Sequence, residues 1–327
     1  MTCSTEVLSE GNAHRWEEYN TRSGKGTLFH GLRWKRLLED VLKVKLRYYL
    51  IFDGQKVVGL CPFAEQSAGF FRGLASIPHS EFNNLVLDDS FDSAHLNEIL
   101  SLFAKEYSFL HLSTYDREVL DNINYNGFNT GETGNMVLNV KQKPPEEIWS
   151  SLSRNMRYKI QVFEKKGFKI REARQRSEIE WFYRYYVENL TSIKGDILPL
   201  SFLEGLLELF PGRVRIEILT NGDVFAGGSL TLLSPERKTA YYQYLALNRN
   251  LPNRYTPTYA IYWNLVNRTR DDGYEYLSFG RQRLDLKNPR FQDKAKFGAE
   301  HVPIHSRLVP LSRIASLAYQ VRKRFSG

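Results

Sequence analysis

The stretches RYYLIFDGQKVVG at 47–59 and RIEILTNGDVFAG at 215–227 decide how this chain is read. Each is an alternating apolar run, then Asp53-Gly54 or Asn221-Gly222, then a second run that ends on Gly59 or Gly227. Alternation at period two marks a half-buried strand. Asp-Gly and Asn-Gly between two such runs suit a type I′ hairpin, which needs φ > 0 at both central positions. The two stretches are therefore β-hairpins, and the offset between them is 222 − 54 = 168.

The correspondence extends outward from the hairpins. Upstream, Trp34, Leu38, Val41 and Leu42 fall on Phe202, Leu206, Leu209 and Phe210, apolar at i, i+4, i+7 and i+8 as on one helix face. Downstream, FLHL at 109–112 falls on YLSF at 276–279, at offset 167. Each of these short strands follows a helical stretch, 94–107 in the first copy and 257–272 in the second. The second has Thr256 as N-cap, Pro257 in the first helical position and Gly273 just past its end. A helix, a hairpin and a later helix–strand at one offset make an internal duplication. The fold class is α/β with mixed sheets, in two tandem domains. The polar, proline-bearing KQKPP at 141–145 predicts a boundary, giving domains 1–143 and 144–327.

Bulk properties fit that division. A chain of 327 residues is long enough for two cores, and 42% hydrophobic with 25% charged residues is ordinary for a globular protein. No apolar run approaches the roughly 18 residues of a membrane span. Residues 1–11 have no basic patch followed by an apolar core, so no secretory signal is expected there. Cys3 and Cys61 form neither a metal-ligand spacing nor a disulfide framework. A cytoplasmic location is the expectation. The net charge of +8 is uneven: residues 1–145 hold 15 Lys+Arg against 18 Asp+Glu, and residues 146–327 hold 30 against 19. The basic second half is expected to meet an anionic partner.

Several segments resemble the Fem-type aminoacyltransferases and the related BioF2-like acetyltransferase domains, whose fold is a tandem GNAT acetyltransferase unit. These are GLCPF at 59–63, SIPHSEFNNLVLDD at 76–89, IWSSLSRNMRYKIQVFEKKGFKI at 148–170 and FGRQRLDLKNPRFQDKAKFGAE at 279–300. The last is the most specific, a Phe-Gly-Arg strand end followed by Lys-x-x-Phe-Gly. The family usually has an aromatic before that Lys, where this chain has Asp293. The resemblance implies two tandem GNAT-like acyltransferase domains. It also implies an enzyme that moves an acyl or aminoacyl group onto an amine of an anionic, nucleotide- or lipid-linked cell-envelope precursor. Acyl-CoA or aminoacyl-tRNA would be the donor, with no permanently bound cofactor. The long coiled-coil arm of peptidoglycan Fem enzymes has no counterpart here, since no sustained heptad stretch occurs.

Acyl transfer to an amine needs a neutral amine, donors for the oxyanion and cations for any phosphates. In the second copy, strands 239–247 and 276–280 are the expected splayed pair, and strand ends are where α/β sheets place ligands. Gly280 and Arg281 close one of them. Arg281 is expected to bind phosphate or carboxylate through its planar fork, and Lys294 to hold a diphosphate or a developing charge. Arg283, Arg290 and Lys296 would add to the field. Alternation predicts Tyr242 and Tyr244 on one face, with a phenol as acid or oxyanion donor. Arg154 and Arg157 belong to a helix whose Leu152, Met156, Ile160 and Phe163 form a buried stripe, cations outward. In the first copy, His79, Glu81, Asn83 and Asn84 form a polar loop that the resemblance places at the acceptor site, with Glu81 as general base. No metal site is expected, because Pro303 lies between His301 and His305, and no HExxH, Ser/His/Asp order or Walker-type loop is present. The acetyl-CoA pyrophosphate loop Arg/Gln-x-x-Gly-x-Gly/Ala is also missing. Two rival readings follow. One is acetyl-CoA-dependent N-acetylation. The other is a non-catalytic protein that binds RNA or a membrane surface through 154–176, where nine Lys or Arg face two Glu.

Overall fold

Both quoted stretches fold as hairpins in a computed structural model that describes residues 3–81, 85–92, 94–252 and 255–325. In chain order the first part contains β1 (Cys3–Val7), α1 (Ala13–Arg22), α2 (Leu32–Leu42), β2 (Leu46–Asp53), β3 (Lys56–Ala68), β4 (Phe71–Ser76), β5 (Val86–Leu87), α3 (Ala94–Phe103), β6 (Phe109–Thr114), α4 (Arg117–Asp121) and β7 (Phe128–Asn139). There follow α5 (Pro145–Ser151), α6 (Arg154–Lys165), β8 (Lys169–Glu172), α7 (Arg176–Ser192), α8 (Leu200–Leu209), β9 (Val214–Asn221), β10 (Val224–Ser234) and β11 (Thr239–Leu247). The chain closes with α9 (Pro257–Asp271), β12 (Tyr276–Arg283), α10 (Pro289–Lys296), β13 (Glu300–Pro310) and α11 (Arg313–Phe325).

The chain forms two units, residues 1–134 with 303–327 and residues 135–302. This differs from the expected 143/144 division at both ends. Residues 303–327 return to the first unit, where His305 to Pro310 pair antiparallel with Thr114 to Phe109 of β6. Met136, Leu138 and Val140 join the second unit's core beside Leu265 and Leu277. The polar stretch at 141–145 is a turn within that unit, with Asn139 Oδ1 accepting from the backbone of Lys141 and Gln142. Polarity marked a turn, whereas the boundary follows strand pairing.

In the first unit the strand order is β1-β2-β3-β4-β6-β13, and in the second β7-β12-β11-β10-β9-β8. The duplication is visible at single-residue level. Gly54 and Gly222 have φ of 59° and 54°, in two-residue loops closed by the pairs Asp53–Lys56 and Asn221–Val224. Gln55 and Asp223 are not in the left-handed region, so only the first central position has φ > 0. That is the sign pattern of type II′ and replaces the expected type I′, because glycine occupies the first central position. Four residues on, each hairpin carries the same irregularity. Val58 is skipped in the pairing of β3 with β2, and Ala226 in that of β10 with β9, again 226 − 58 = 168 apart. Such a one-residue bulge bends the strand and raises its twist.

Each unit buries a core of its own. In the first, Leu96, Ile99, Leu100 and Phe103 of α3 pack on Ile51, Phe63, Leu74 and Leu110. In the second, Ile261, Leu265 and Val266 of α9 pack on Ala240, Tyr242 and Leu277. Leu152, just before α6, and Met156, Ile160 and Phe163 within it are buried beside that core, the stripe the spacing predicts. Arg154 is exposed, while Arg157 and Lys159 are half-buried where solvent-facing cations were expected.

Candidate functional site

The site is built where two parallel strands part. In the second unit β11 pairs with β12 from Thr239↔Tyr276 through Tyr241↔Ser278, and the register ends there. Two local features end it. Gly280 takes φ of 79°, and its N–H donates to Ser278 Oγ at 3.3 Å, off the ladder. On the other strand the register against β10 shifts between Leu230/Thr231, so Gln243 is an extra residue between Tyr242 and Tyr244. A bulge on one strand and a left-handed glycine on its neighbour leave backbone polar groups beyond Tyr241 and Phe279 outside the shared ladder.

The bulge corrects the expectation for the tyrosines. An extra residue inverts the alternation, so Tyr242 and Tyr244 lie on opposite faces. Tyr242 is buried against Tyr262 and Phe279, with ring centroids at 5.7 and 6.4 Å. Burial pushes its phenol well above the ordinary tyrosine value, and a hydrogen bond to Tyr262 adds to that. Tyr244 packs edge-on against Tyr186 of α7 and Phe202 of α8.

Around the parting strands, α10 and the first turn of α9 supply the polar groups. Lys294 is buried, and its Nζ donates to the carbonyl oxygen of Phe279 at 2.7 Å. The ammonium thus braces the last residue before the bend. Arg281, one residue past the bend, is exposed, as are Arg283 and Arg290. The two residues expected to share a diphosphate have different surroundings, one committed to backbone and one in solvent. Tyr259 donates to Asp293 Oδ1 at 2.9 Å, and Lys159 lies 5.6 Å above the Tyr259 ring. Burial and then Asp293 push the Tyr259 phenol up to about 12. This pair was not singled out from the sequence. The signal was present in Asp293 itself, the polar residue standing where the resembled family has an aromatic.

The remaining candidates are placed as follows. Arg157 Nη1 donates to the carbonyls of Trp149 and Ser150, at 3.2 and 3.1 Å, so it caps the C-terminus of α5. Further along that basic stretch, Arg171 pairs with Glu178, and Arg176 with Glu180 and Glu204. None of these candidates lines the cavity of about 680 Å³ walled by Trp149, Phe163, Phe168 and Trp263. In the first unit the parallel pairing of β4 with β6 likewise ends after Ala75↔His111. There the next residue, Ser76, stitches the strands, accepting from Ser113 N at 2.9 Å. Glu81 is buried, His79 is exposed with φ of 54°, and Asn83 and Asn84 lie outside the described residues. Among the described residues no group of three or more His, Cys, Asp and Glu could hold a metal ion, and no helix is long and apolar enough to cross a membrane.

Comparisons with known proteins agree with this geometry. Residues 150–288 match the family described as acetyltransferase (GNAT) domain. No curated protein matches in sequence. Among solved structures, FemX is similar with a TM-score of 0.65 at 11% identity, over 93% of this chain and 96% of that one. The C-terminal domain of a protein named as a lysylphosphatidylglycerol synthetase, from Agrobacterium fabrum, is similar with a TM-score of 0.60 at 11% identity, over 95% of each chain. A tandem GNAT protein from the clavulanic acid biosynthesis pathway has a TM-score of 0.60 at 8% identity, over 95% of this chain and 99% of that one. The fold is thus the tandem GNAT fold, and residues 150–288 are similar to its acetyltransferase domain family.

Proposed function

We propose that this tandem GNAT-fold chain transfers an acyl or aminoacyl group to an amine carried by an anionic, nucleotide- or lipid-linked precursor of the cell envelope. The observation that carries the reading is the parting of β11 from β12 after Tyr241↔Ser278. A gap between parallel strands lets an extended donor arm take the place of the missing ladder, with backbone N–H groups at its edge. Preorganised donors of that kind stabilise the oxyanion of a tetrahedral intermediate. In the reaction the amine nitrogen forms a bond to the acyl carbon, and the bond from that carbon to the donor's sulfur or ester oxygen breaks. The proton lost by the amine passes, through solvent or a nearby base, to the departing sulfur or oxygen, so the donor leaves as thiol or hydroxyl.

Arg281, with Arg283 and Arg290, supports an anionic ligand at this end of the sheet, since guanidinium binds phosphate bidentately. Lys294 and Gly280 are assigned to shaping the strand end, and Tyr242 to its buried wall. Glu81, buried in the first unit, remains the proposed base. Two similar structures motivate the acceptor class. One is FemX, and the other bears the name of an enzyme that makes a lysylated phospholipid. The donor is proposed as acyl-CoA or aminoacyl-tRNA, used as a substrate. The match of residues 150–288 to an acetyltransferase domain favours plain acetyl-CoA-dependent N-acetylation as the second reading. Phosphate-tracking RNA binding through 154–176 is less well supported, because Arg157, Arg171 and Arg176 are engaged by local carbonyls and carboxylates.

The test is transfer itself. Purified protein is given acetyl-CoA or a mixed aminoacyl-tRNA pool, with amine-bearing nucleotide sugars or lipid-linked precursors, and the acceptor mass is followed. An acceptor that gains an acyl or aminoacyl mass in an enzyme-dependent way supports the reading. Transfer to no anionic amine from either donor, with no thermal shift by any of them, sinks it.

A further inference from the structure

The C-terminal helix α11 (Arg313–Phe325) carries an apolar stripe that the described residues of its own unit leave exposed. Ala315 is buried, and Tyr319 packs at a tilt on Phe128 of β7 with ring centroids at 4.3 Å, so one face of the helix is docked. The next face around holds Ile314, Leu317 and Val321, which are 72%, 63% and 54% exposed. They stand at i, i+3 and i+7, the spacing of one helix stripe. A helix this short gains little by leaving three large aliphatics in water, and such a stripe on a surface helix marks an interaction site.

Charge indicates what covers it. The helix sequence RIASLAYQVRKRF contains Arg313, Arg322, Lys323 and Arg324 and no acidic residue. Residues 301–327 contain no Asp or Glu. We propose that α11 lies flat on an anionic phospholipid bilayer, with Ile314, Leu317 and Val321 in the headgroup–acyl boundary, drawn there by the net positive charge of the helix sequence. A narrow apolar stripe flanked by Lys and Arg is the pattern of a helix that lies in the interface plane. Each cation near an anionic leaflet adds attraction within a Debye length. A protein partner fits less well. Three side chains on a helix about 20 Å long fall well short of the roughly 800 Å² per partner that stable protein interfaces bury. The inference stands on this helix alone and is independent of the acyl-transfer reading.

The experiment is vesicle co-sedimentation of the full chain. Phosphatidylcholine vesicles are compared with vesicles holding about one third phosphatidylglycerol, at low and high salt. Expected is binding to the anionic vesicles that weakens as salt rises, with little to phosphatidylcholine alone. Leu317→Asp should lower the partition coefficient roughly tenfold, and the triple variant Arg322→Gln, Lys323→Gln, Arg324→Gln by a similar factor, with melting temperatures unchanged. If Leu317→Asp proves less stable, the milder Ile314→Gln gives the same reading without a new charge. Equal binding to both vesicle types, or wild-type binding by the Leu317→Asp and triple variants, overturns the proposal. So does a self-associating chain that Leu317→Asp renders monomeric and that ignores vesicles altogether, since the stripe would then be a protein interface.

Discussion

Lys294 Nζ sits 2.7 Å from the carbonyl oxygen of Phe279, and this bond ties α10 to the last residue of β12 before the strand bends. The lysine is 7% exposed, so its ammonium has been taken out of water to make this contact. Lys294→Met keeps the aliphatic stem and removes the donor. Hydrogen bonds to charged groups contribute about 1.5–3 kcal/mol, and a loss in that range is expected in urea denaturation. Transfer activity should fall with it, because the strand end loses its brace. Unchanged stability with abolished activity would assign the ammonium to a ligand instead.

Arg281 gives the opposite signature. Its side chain is exposed one residue beyond Gly280, so Arg281→Ala should leave the melting temperature within error. If the guanidinium holds substrate phosphate, KM for the anionic substrate rises roughly 10- to 100-fold, the equivalent of one charge-assisted contact. Arg281→Lys should recover only part of this, since an ammonium lacks the bidentate fork. A lowered melting temperature with unaltered KM would make Arg281 a structural brace.

The contrast between these two residues shows what a sequence conveys. The offset between the hairpins was legible because glycine turns and apolar alternation are local signals. The apolar stripe of α6 was legible for the same reason. Burial of an individual cation is not local: nothing around Lys294 in the sequence says that Phe279 will present a carbonyl to it. The opposed faces of Tyr242 and Tyr244 depend on one extra residue, Gln243, and a bulge has no period of its own. The unit boundary was misplaced for a related reason. KQKPP looks like a linker, yet β13 pairs with β6 across nearly two hundred residues of chain, a contact that composition does not record.

Gly280 supplies a test of the bend. At φ of 79° an L-residue with a Cβ is strained, and Gly280→Ala should cost about 1–2 kcal/mol of stability. Asn tolerates the left-handed region better, so Gly280→Asn should cost less. If the bend opens the gap for the donor arm, both variants lose more in kcat/KM than in stability, and Ala loses more than Asn. An Ala variant with native stability and native turnover would show that the strand parts for another reason.

Tyr259 and Asp293 offer a pH-dependent check on the same region. The Tyr259 phenol is pushed up to about 12, first by burial and then by its hydrogen bond to Asp293. A tyrosine in the unfolded chain titrates near 10. Between those values the unfolded state has lost its proton and the native state has kept it. The native state therefore binds more protons, and stability falls as pH rises from about 10 toward 12. Below 10 the contribution is fully present. Asp293→Asn removes the carboxylate but leaves the burial, so it should lower the Tyr259 value part of the way toward 10. Phenolate absorbance, compared with a Tyr259→Phe control, reads that shift directly, and urea midpoints across the alkaline range read the slope. The slope should shrink in Asp293→Asn and shrink further in Tyr259→Phe. If Asp293→Asn leaves the Tyr259 titration where it was, the carboxylate does not act on the phenol, and the pair has no claim on the chemistry at the strand end.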